Sequence, residues 1–265
     1  MNTEKTERNI GLITTSQQSM LSNAHVAICG VGGMGGVAAE ALTRIGIGKL
    51  TIVDHDKFQT TNTNRQLHCT DSTIGQFKTA KVFERLKDIN PDIRINIFDR
   101  LEESNIYTVL GNTSIIIDAM DDFLSSLLLA RFARKYNRTI INAWVTPIAS
   151  VFVTRPEDES WEDFLNLPTR NKGFDAISED DIYKSLKLSL EFSLSHCGAE
   201  SHVDTNIIED CLANRRPRPS LLPVVWLSGV LMANEAMKLI IDEGKVASNM
   251  GTFFNQFDLT LTNLP

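Results

Sequence analysis

Gly30-Val31-Gly32-Gly33-Met34-Gly35-Gly36 is the stretch whose reading decides the fold. It follows Val26-Ala27-Ile28-Cys29, a short apolar run that reads as a buried strand closed by glycine. A helix is expected after it, from Ala38 to Ile45, ending near Gly46 and Gly48. Glycines let a chain turn tightly and approach a phosphate closely, and a helix N-terminus adds free N–H groups and its dipole. Leu50 to Val53 reads as the next strand, and Asp54 at its end can accept hydrogen bonds from both ribose hydroxyls. Together these features predict a nucleotide site, with Gly30, Gly32, Gly33, Gly35 and Asp54 as its candidates. The glycines alone do not say which nucleotide, and by themselves lean towards NAD. The bland alternative is a glycine turn needed only for close packing.

Working outward, the rhythm of strand and helix continues. Helices are expected over 77–89, 102–110 and 123–136, and strands over 93–98, 114–117, 139–142 and 149–153. The alternation predicts an α/β fold: a Rossmann-like, mostly parallel sheet with helices on both faces. Residues 155–218 lose this rhythm. Glu157 to Asp181 is strongly acidic, 182–195 reads as a helix, and Arg215 to Pro219 is a rigid basic stop. Leu221 to Ile241 is a long apolar helix, and 252–262 alternates as antiparallel C-terminal strands. One domain is therefore expected over 1–265. It comprises a helical arm (1–24), a nucleotide-binding core (25–154), a crossover insertion acting as a mobile lid (155–218), and a C-terminal helix and strands (219–265).

Composition narrows the function. The chain has 265 residues, a formal net charge of −7 and 42% hydrophobic residues, which suits a soluble, cytoplasmic globular protein. No apolar run is expected to approach the ~20 residues a membrane span needs. An acidic chain gains no long-range attraction to nucleic acid. Cys29, Cys69, Cys197 and Cys211 are scattered and form no C-x-x-C pair, which fits a reducing compartment and gives no structural zinc site.

The loop after Asp54 decides more. It contains Asp56, then Asn62-Thr63-Asn64-Arg65-Gln66, then Lys78 within Ile74-Gly75-Gln76-Phe77-Lys78, and Asp118-Ala119-Met120-Asp121-Asp122 follows a later strand. Ligands of open α/β sheets bind outside the carboxyl ends of the strands, so all of these share one expected crevice. An NAD fold has no need of Arg65 and Lys78 here. A triphosphate does, because the two cations would stabilise the phosphates and the leaving pyrophosphate. Asp121 would hold a magnesium ion bridging phosphate oxygens.

In this order and spacing, the glycines, D-x-D, N-x-N-R-Q, I-G-x-x-K and D-x-x-D resemble the ThiF/MoeB/HesA superfamily, relatives of the ubiquitin-activating enzymes. The resemblance covers residues 7 to about 154 and resumes over 218–239. It implies ATP- and magnesium-dependent adenylation of a carboxylate. Gly30, Gly32, Gly33 and Gly35 would cradle ATP and Asp54 its ribose. Asp56 and Gln66 join the site. Asn62, Arg65 and Lys78 would contact the triphosphate, and Asp121 the magnesium. Glu7-Arg8-Asn9 resembles the family's N-terminal arginine motif, in which the arginine reaches a partner's ATP. Arg8 therefore implies a homodimer.

The resemblance is incomplete. The zinc-binding C-x-x-C pairs of many members are missing. Cys197 and Cys211 fall where some members carry a thioester-forming cysteine, although a lone free cysteine is more often a small apolar residue. His196 and His202 near Cys197 suggest a metal site only weakly. The opening and the divergent crossover favour a ribosomal precursor peptide as substrate, as in microcin and pantocin biosynthesis. Thr61 to His68 instead resembles the tRNA threonylcarbamoyladenosine dehydratases, against which the acidic charge stands. A ubiquitin-like sulfur carrier is a third substrate. An NAD-dependent oxidoreductase and a non-catalytic nucleotide-binding module are remote alternatives.

Overall fold

The computed structural model describes residues 3–144, 147–197, 204–212 and 215–264. A 3₁₀ turn, Thr3–Asn9, leads into α1 (Thr15–Asn23). Thr14 caps α1 by accepting from Gln17 N, while Gln17 Oε1 accepts from Thr14 N at 2.8 Å, a reciprocal capping box. The core follows as β1 (His25–Cys29), α2 (Gly33–Ile45), β2 (Lys49–Val53), α3 (Lys78–Ile89), β3 (Arg94–Phe98), α4 (Ile106–Leu110), β4 (Ile115–Asp118), α5 (Phe123–Lys135), β5 (Thr139–Asn142) and β6 (Ala149–Thr154). The insertion carries α6 (Trp161–Phe164), α7 (Glu179–Cys197) and α8 (Thr205–Leu212), and the chain ends as α9 (Leu222–Ile241), β7 (Thr252–Asn255) and β8 (Thr260–Asn263).

The strands form one eight-stranded sheet in the order β3-β2-β1-β4-β5-β6-β7-β8. The first five are parallel, and β6, β7 and β8 run antiparallel to their neighbours. Side chains alternate along each strand. Val26 and Ile28 of β1 enter one core with Leu42 of α2, Leu86 of α3 and Met232 of α9. Ala27 and Cys29 enter the other, with Leu110 of α4 and Phe132 of α5. Helices therefore cover both faces of a largely parallel sheet, as the sequence predicts.

Three expectations need correction. The helix after the glycine turn starts at Gly33, five residues before Ala38. Glycine is a poor helix former, yet close packing requires it here. A Cβ on Gly35 would lie 1.8 Å from Gly30 O, and one on Gly33 would lie 2.6 Å from Val225 Cγ1. Next, α8 carries no signal in the sequence reading, which places only irregular chain there. Finally, α9 is long and apolar enough to cross a membrane by length and composition, with a mean hydropathy of 1.5. It is instead a core helix, with Met232, Ala233 and Ala236 buried against the sheet.

The first half of the insertion is tied down. Arg131 on α5 donates from Nε and Nη2 to both oxygens of buried Glu162, at 2.9 and 2.8 Å. The same guanidinium donates to the carbonyls of Thr169 and Lys172. Lys172 in turn holds Asp181 at 2.7 Å. The two buried carboxylates of this segment, Glu162 and Asp181, are thus partnered.

Candidate functional site

Strand register builds the crevice. Cys29, the last residue of β1, pairs with Val53 on one side and Asp118 on the other. The segments that leave these strands therefore emerge side by side. Two bonds lock them together: Gly30 N donates to Val53 O, and Ala119 N to Cys29 O, both at 2.8 Å. Gly30 has φ +85°, and a Cβ there would lie 2.4 Å from Ala119 O, so only glycine fits between the two strand ends.

Asp54 is buried, and its carboxylate already accepts from Val31 N and Asp56 N, each at 2.9 Å. Burial raises the Asp54 carboxyl above its ordinary range, against the pull of Lys78 and these two donors. Each oxygen keeps a further lone pair, so the carboxylate can still accept from a ribose. Lys78 is buried at the start of α3 and donates to Asp56 Oδ2 at 2.8 Å. Burial opposes ionisation of Asp56, but the hydrogen bond and charge of Lys78 outweigh it and hold its carboxyl below the usual range.

The N-x-N-R-Q loop wraps over the glycine turn. Buried Asn62 accepts from Gln59 N through its side chain. Arg65 Nη1 donates to Thr61 O at 3.0 Å and Asn64 Oδ1 at 2.8 Å. Trp226 of α9 donates to Arg65 O at 2.8 Å and fixes the loop's path. The Gln66 amide faces Gly32, with Nε2 3.3 Å from where a Cβ would stand. Gln66 Oε1 is buried without a hydrogen-bond partner among the described residues. A glycine cradle near the cations Lys78 and Arg65 suits a nucleotide's phosphates, while the Gln66 carbonyl oxygen, an acceptor, would take a hydrogen bond from a donor such as a ribose hydroxyl or a base amino group. The residues present therefore fit ATP.

After β4 the two ends of the D-x-x-D differ. Asp118 is buried, and its Oδ1 accepts from Met120 N at 3.1 Å and Ser126 Oγ at 3.2 Å. Burial pushes its carboxyl up to about 6; these two donors oppose the rise and Asp122 adds to it. Asp122 caps α5 by accepting from Ser125 N at 2.8 Å. Asp121 is exposed, and a lone carboxylate beside phosphates is the usual protein contribution to a magnesium site. Among the described residues, the cluster of close metal-ligating atoms is Asp54, His55 and Asp56, but Asp56 is already committed to Lys78.

Asp118, Asp121 and Asp122 line one end of a cavity of about 640 Å³. Residues of α5, β5, β6, α7, α8 and the start of α9 line it. No local sequence signal marks it. The volume is typical of a small-molecule or peptide pocket.

Arg8 is exposed and does not join the crevice in this chain. Its neighbour Asn9 donates to Ile45 O, at the C-terminal end of α2. The glycine turn is at the other end of that 13-residue helix, roughly 20 Å away. Cys29 is buried, and burial, reinforced by Asp118, pushes its thiol far up. Cys69 is also buried and donates to Gln59 O at 3.5 Å. Cys211 lines the cavity. The Cys197 side chain and His202 lie outside the described residues.

The profile of the ThiF family matches residues 6–265, and the chain belongs to that family. Its members are ATP-dependent adenylyltransferases, and this chain has their fold. The tRNA threonylcarbamoyladenosine dehydratase of Haemophilus influenzae is 37% identical over 133 residues, 49% of this chain and 51% of that protein. The E. coli (strain K12) protein of the same name is 37% identical over 119 residues, 44% of each. The SAMP-activating enzyme E1 of Haloferax volcanii is 25% identical over 260 residues, 94% of this chain and 78% of that protein. The chain thus spans about half the length of the tRNA dehydratases it matches. Among solved structures, E. coli MccB with ATP superposes with a TM-score of 0.68 at 19% identity, over 94% of this chain and 65% of that one. At that identity the likeness establishes the fold alone.

Proposed function

We propose that this protein uses ATP to adenylate a substrate carboxylate. The observation that carries the reading is the grouping at three adjacent strand ends of a glycine cradle, the orphaned Gln66 oxygen, the buried cation Lys78 and the exposed carboxylate Asp121. A carboxylate oxygen attacks the α-phosphorus of ATP. The bond to the bridging oxygen breaks, pyrophosphate leaves with the electron pair, and a mixed carboxyl–AMP anhydride remains. Catalysis of this step is positioning and charge stabilisation. Lys78 and Arg65 balance phosphate charge, the helix start at Gly33 presents its N–H groups, and Asp54 orients the ribose. Magnesium, held by Asp121, supplies further charge neutralisation when bound.

For the carboxylate itself, the named relatives give more support to a tRNA dehydratase reading than to a peptide reading. One observation favours the peptide. The cavity beside Asp121 is lined mostly by apolar and aromatic side chains, and the arginines on its lining (Arg134, Arg138, Arg155 and Arg218) are matched in number by Asp118, Asp121, Asp122 and Asp204, so it offers no net positive charge to a polyanionic backbone. Arg8, far from its own crevice, supports action across a homodimer, and light scattering would measure that state. The deciding assay is ATP–pyrophosphate exchange with bulk tRNA, a carrier protein and peptides offered separately. Exchange stimulated by one class supports adenylation and names the substrate. ATP binding without exchange in any arm would overturn the catalytic reading.

A further inference from the structure

The arginine loop lies along one face of α2. Gly32, Gly36 and Glu40 are four residues apart and so fall on one line of the helix. The Gln66 amide stands over Gly32, and a Cβ on Gly33 would lie 3.8 Å from Arg65 Cγ. The His68 ring covers the next turn. Its Nδ1 would be 3.1 Å from a Cβ on Gly36, and its Nε2 is 3.3 Å from Glu40 Oε2. One buried imidazole thus spans the turn from Gly36 to Glu40. Glu40 is a fixed point. Arg44 of α2 donates to its Oε1 from Nε at 2.9 Å and from Nη2 at 2.6 Å, and Arg85 of α3 donates to its Oε2 from Nε at 3.2 Å. Burial opposes the charge of Glu40, but the two arginines outweigh it and hold the carboxyl below its ordinary range.

Arg65 Nη1 donates to Thr61 O and Asn64 Oδ1, both in its own loop, so these bonds do not tie the loop to α2. Trp226 and Ser220 hold the loop from the α9 side. From the α2 side the ring of His68 meets Glu40, and Thr73 Oγ1 donates to His68 O at 2.9 Å and steadies the backbone that carries the ring. Burial lowers the pKa of His68, and Arg85 of α3 adds to this, while Glu40 opposes it. The ring is therefore mostly neutral at pH 7, and the facing carboxylate assigns its proton to Nε2. Neither ring nitrogen has an aligned hydrogen bond among the described residues. Buried polar atoms in that state are uncommon, and a side chain placed there for packing alone would cost less as leucine. Contacts that support a binding loop commonly tighten when the loop closes on its ligand.

We propose that His68 is a positioning residue that sets the register of the arginine loop on α2. Closure over a triphosphate aligns His68 Nε2–H on Glu40, which brings Arg65 to the pyrophosphate portion and keeps Gln66 over Gly32. His68 touches neither nucleotide nor substrate and acts through these two residues. The proposal rests on the reading of Arg65 as a triphosphate contact. The His68 contact then supports the binding of ATP and not of AMP, which lacks the phosphates that Arg65 grips.

The test uses the full chain and the variants His68→Gln, His68→Asn and His68→Leu. Glutamine can carry an N–H to the place of Nε2, asparagine is one methylene too short, and leucine fills the space without a donor. ATP and AMP affinities are measured by calorimetry, and hydrogen exchange is followed over 62–69 and over α3. ATP affinity should fall about tenfold in His68→Leu and His68→Asn, the value of one hydrogen bond to a charged group, and return to within about threefold of wild type in His68→Gln. AMP affinity should be the same throughout. Exchange over 62–69 should quicken in His68→Leu and His68→Asn and recover in His68→Gln, with α3 unchanged. Equal losses for ATP and AMP would overturn the proposal, because a merely structural residue gives that result. So would wild-type ATP affinity in His68→Leu, or a His68→Gln variant no better than His68→Asn. If His68→Leu does not fold, the comparison of His68→Gln with His68→Asn decides. If wild type binds no nucleotide, the reading of Arg65 falls, and exchange over 62–69 still decides whether His68 seats the loop.

Discussion

Replacing Asp118 by asparagine should make the fold more stable at neutral pH and remove one component of its pH dependence. Folded Asp118 holds its proton up to about pH 6, against an ordinary 3.8. Between about pH 4 and 6 the folded chain therefore binds more protons at this position than the unfolded chain does. Stability must then fall as pH rises through that window. The shift of about two units corresponds to ~3 kcal/mol once both states are ionised. Asparagine keeps the oxygen that accepts from Met120 N and Ser126 Oγ and never ionises. The assay is urea unfolding of both proteins in EDTA, without nucleotide, from pH 4 to 8. Other carboxylates titrate in both proteins and cancel in the difference. That difference should rise in favour of Asp118→Asn by ~3 kcal/mol between pH 4 and 7, with its midpoint near 5. A flat difference, or one that turns against asparagine as pH rises, would refute the reasoning.

Further outcomes are expected. Gly35→Ala puts a methyl 1.8 Å from Gly30 O and should cost about 3 kcal/mol; a melting temperature within a degree of wild type would contradict this. Arg131→Ala leaves buried Glu162 without its bidentate partner, a loss of ~3–5 kcal/mol. Limited proteolysis should then cut within 155–181 before the core, and an unchanged cleavage pattern would count against that anchoring. Asp121→Ala should abolish magnesium-dependent pyrophosphate exchange and leave the melting temperature within about 1 °C, since the side chain is exposed. Normal exchange in that variant would remove the magnesium assignment.

Much of this was legible because the signals are local. Four-residue apolar runs closed by glycine or aspartate gave the strands, and β5 and the start of α5 fell where the sequence put them. Gly30, Asp54, Lys78 and Asp118 follow or flank strand ends, so topology alone gathers them. What escaped depends on distant partners. Gly33 to Gly36 look like loop until Val225 and the Gly30 carbonyl are seen against them. Ser185, Ser189 and Ser193 alternate with lysines and leucines and read as an ordinary amphipathic helix. Only the packing of α7 against the rest of the chain, including β7, buries their hydroxyls. The anchor of the acidic 157–181 segment is invisible in sequence because Arg131, which holds Glu162, sits on another helix.

The start of α9 touches both halves of the crevice. Asn64 donates to Ser220 O at 3.0 Å, and Trp226 donates to Arg65 O at 2.8 Å. Ser220, Leu221 and Val224 meanwhile form part of the cavity wall. A ligand in the cavity and a nucleotide under the arginine loop would both bear on the same helix end. Whatever preference one of them imposes on its setting alters the affinity of the other by the same factor, in both directions. Order of arrival then has no thermodynamic meaning for the pair, and the two occupants report on each other through a joint that neither of them covers alone.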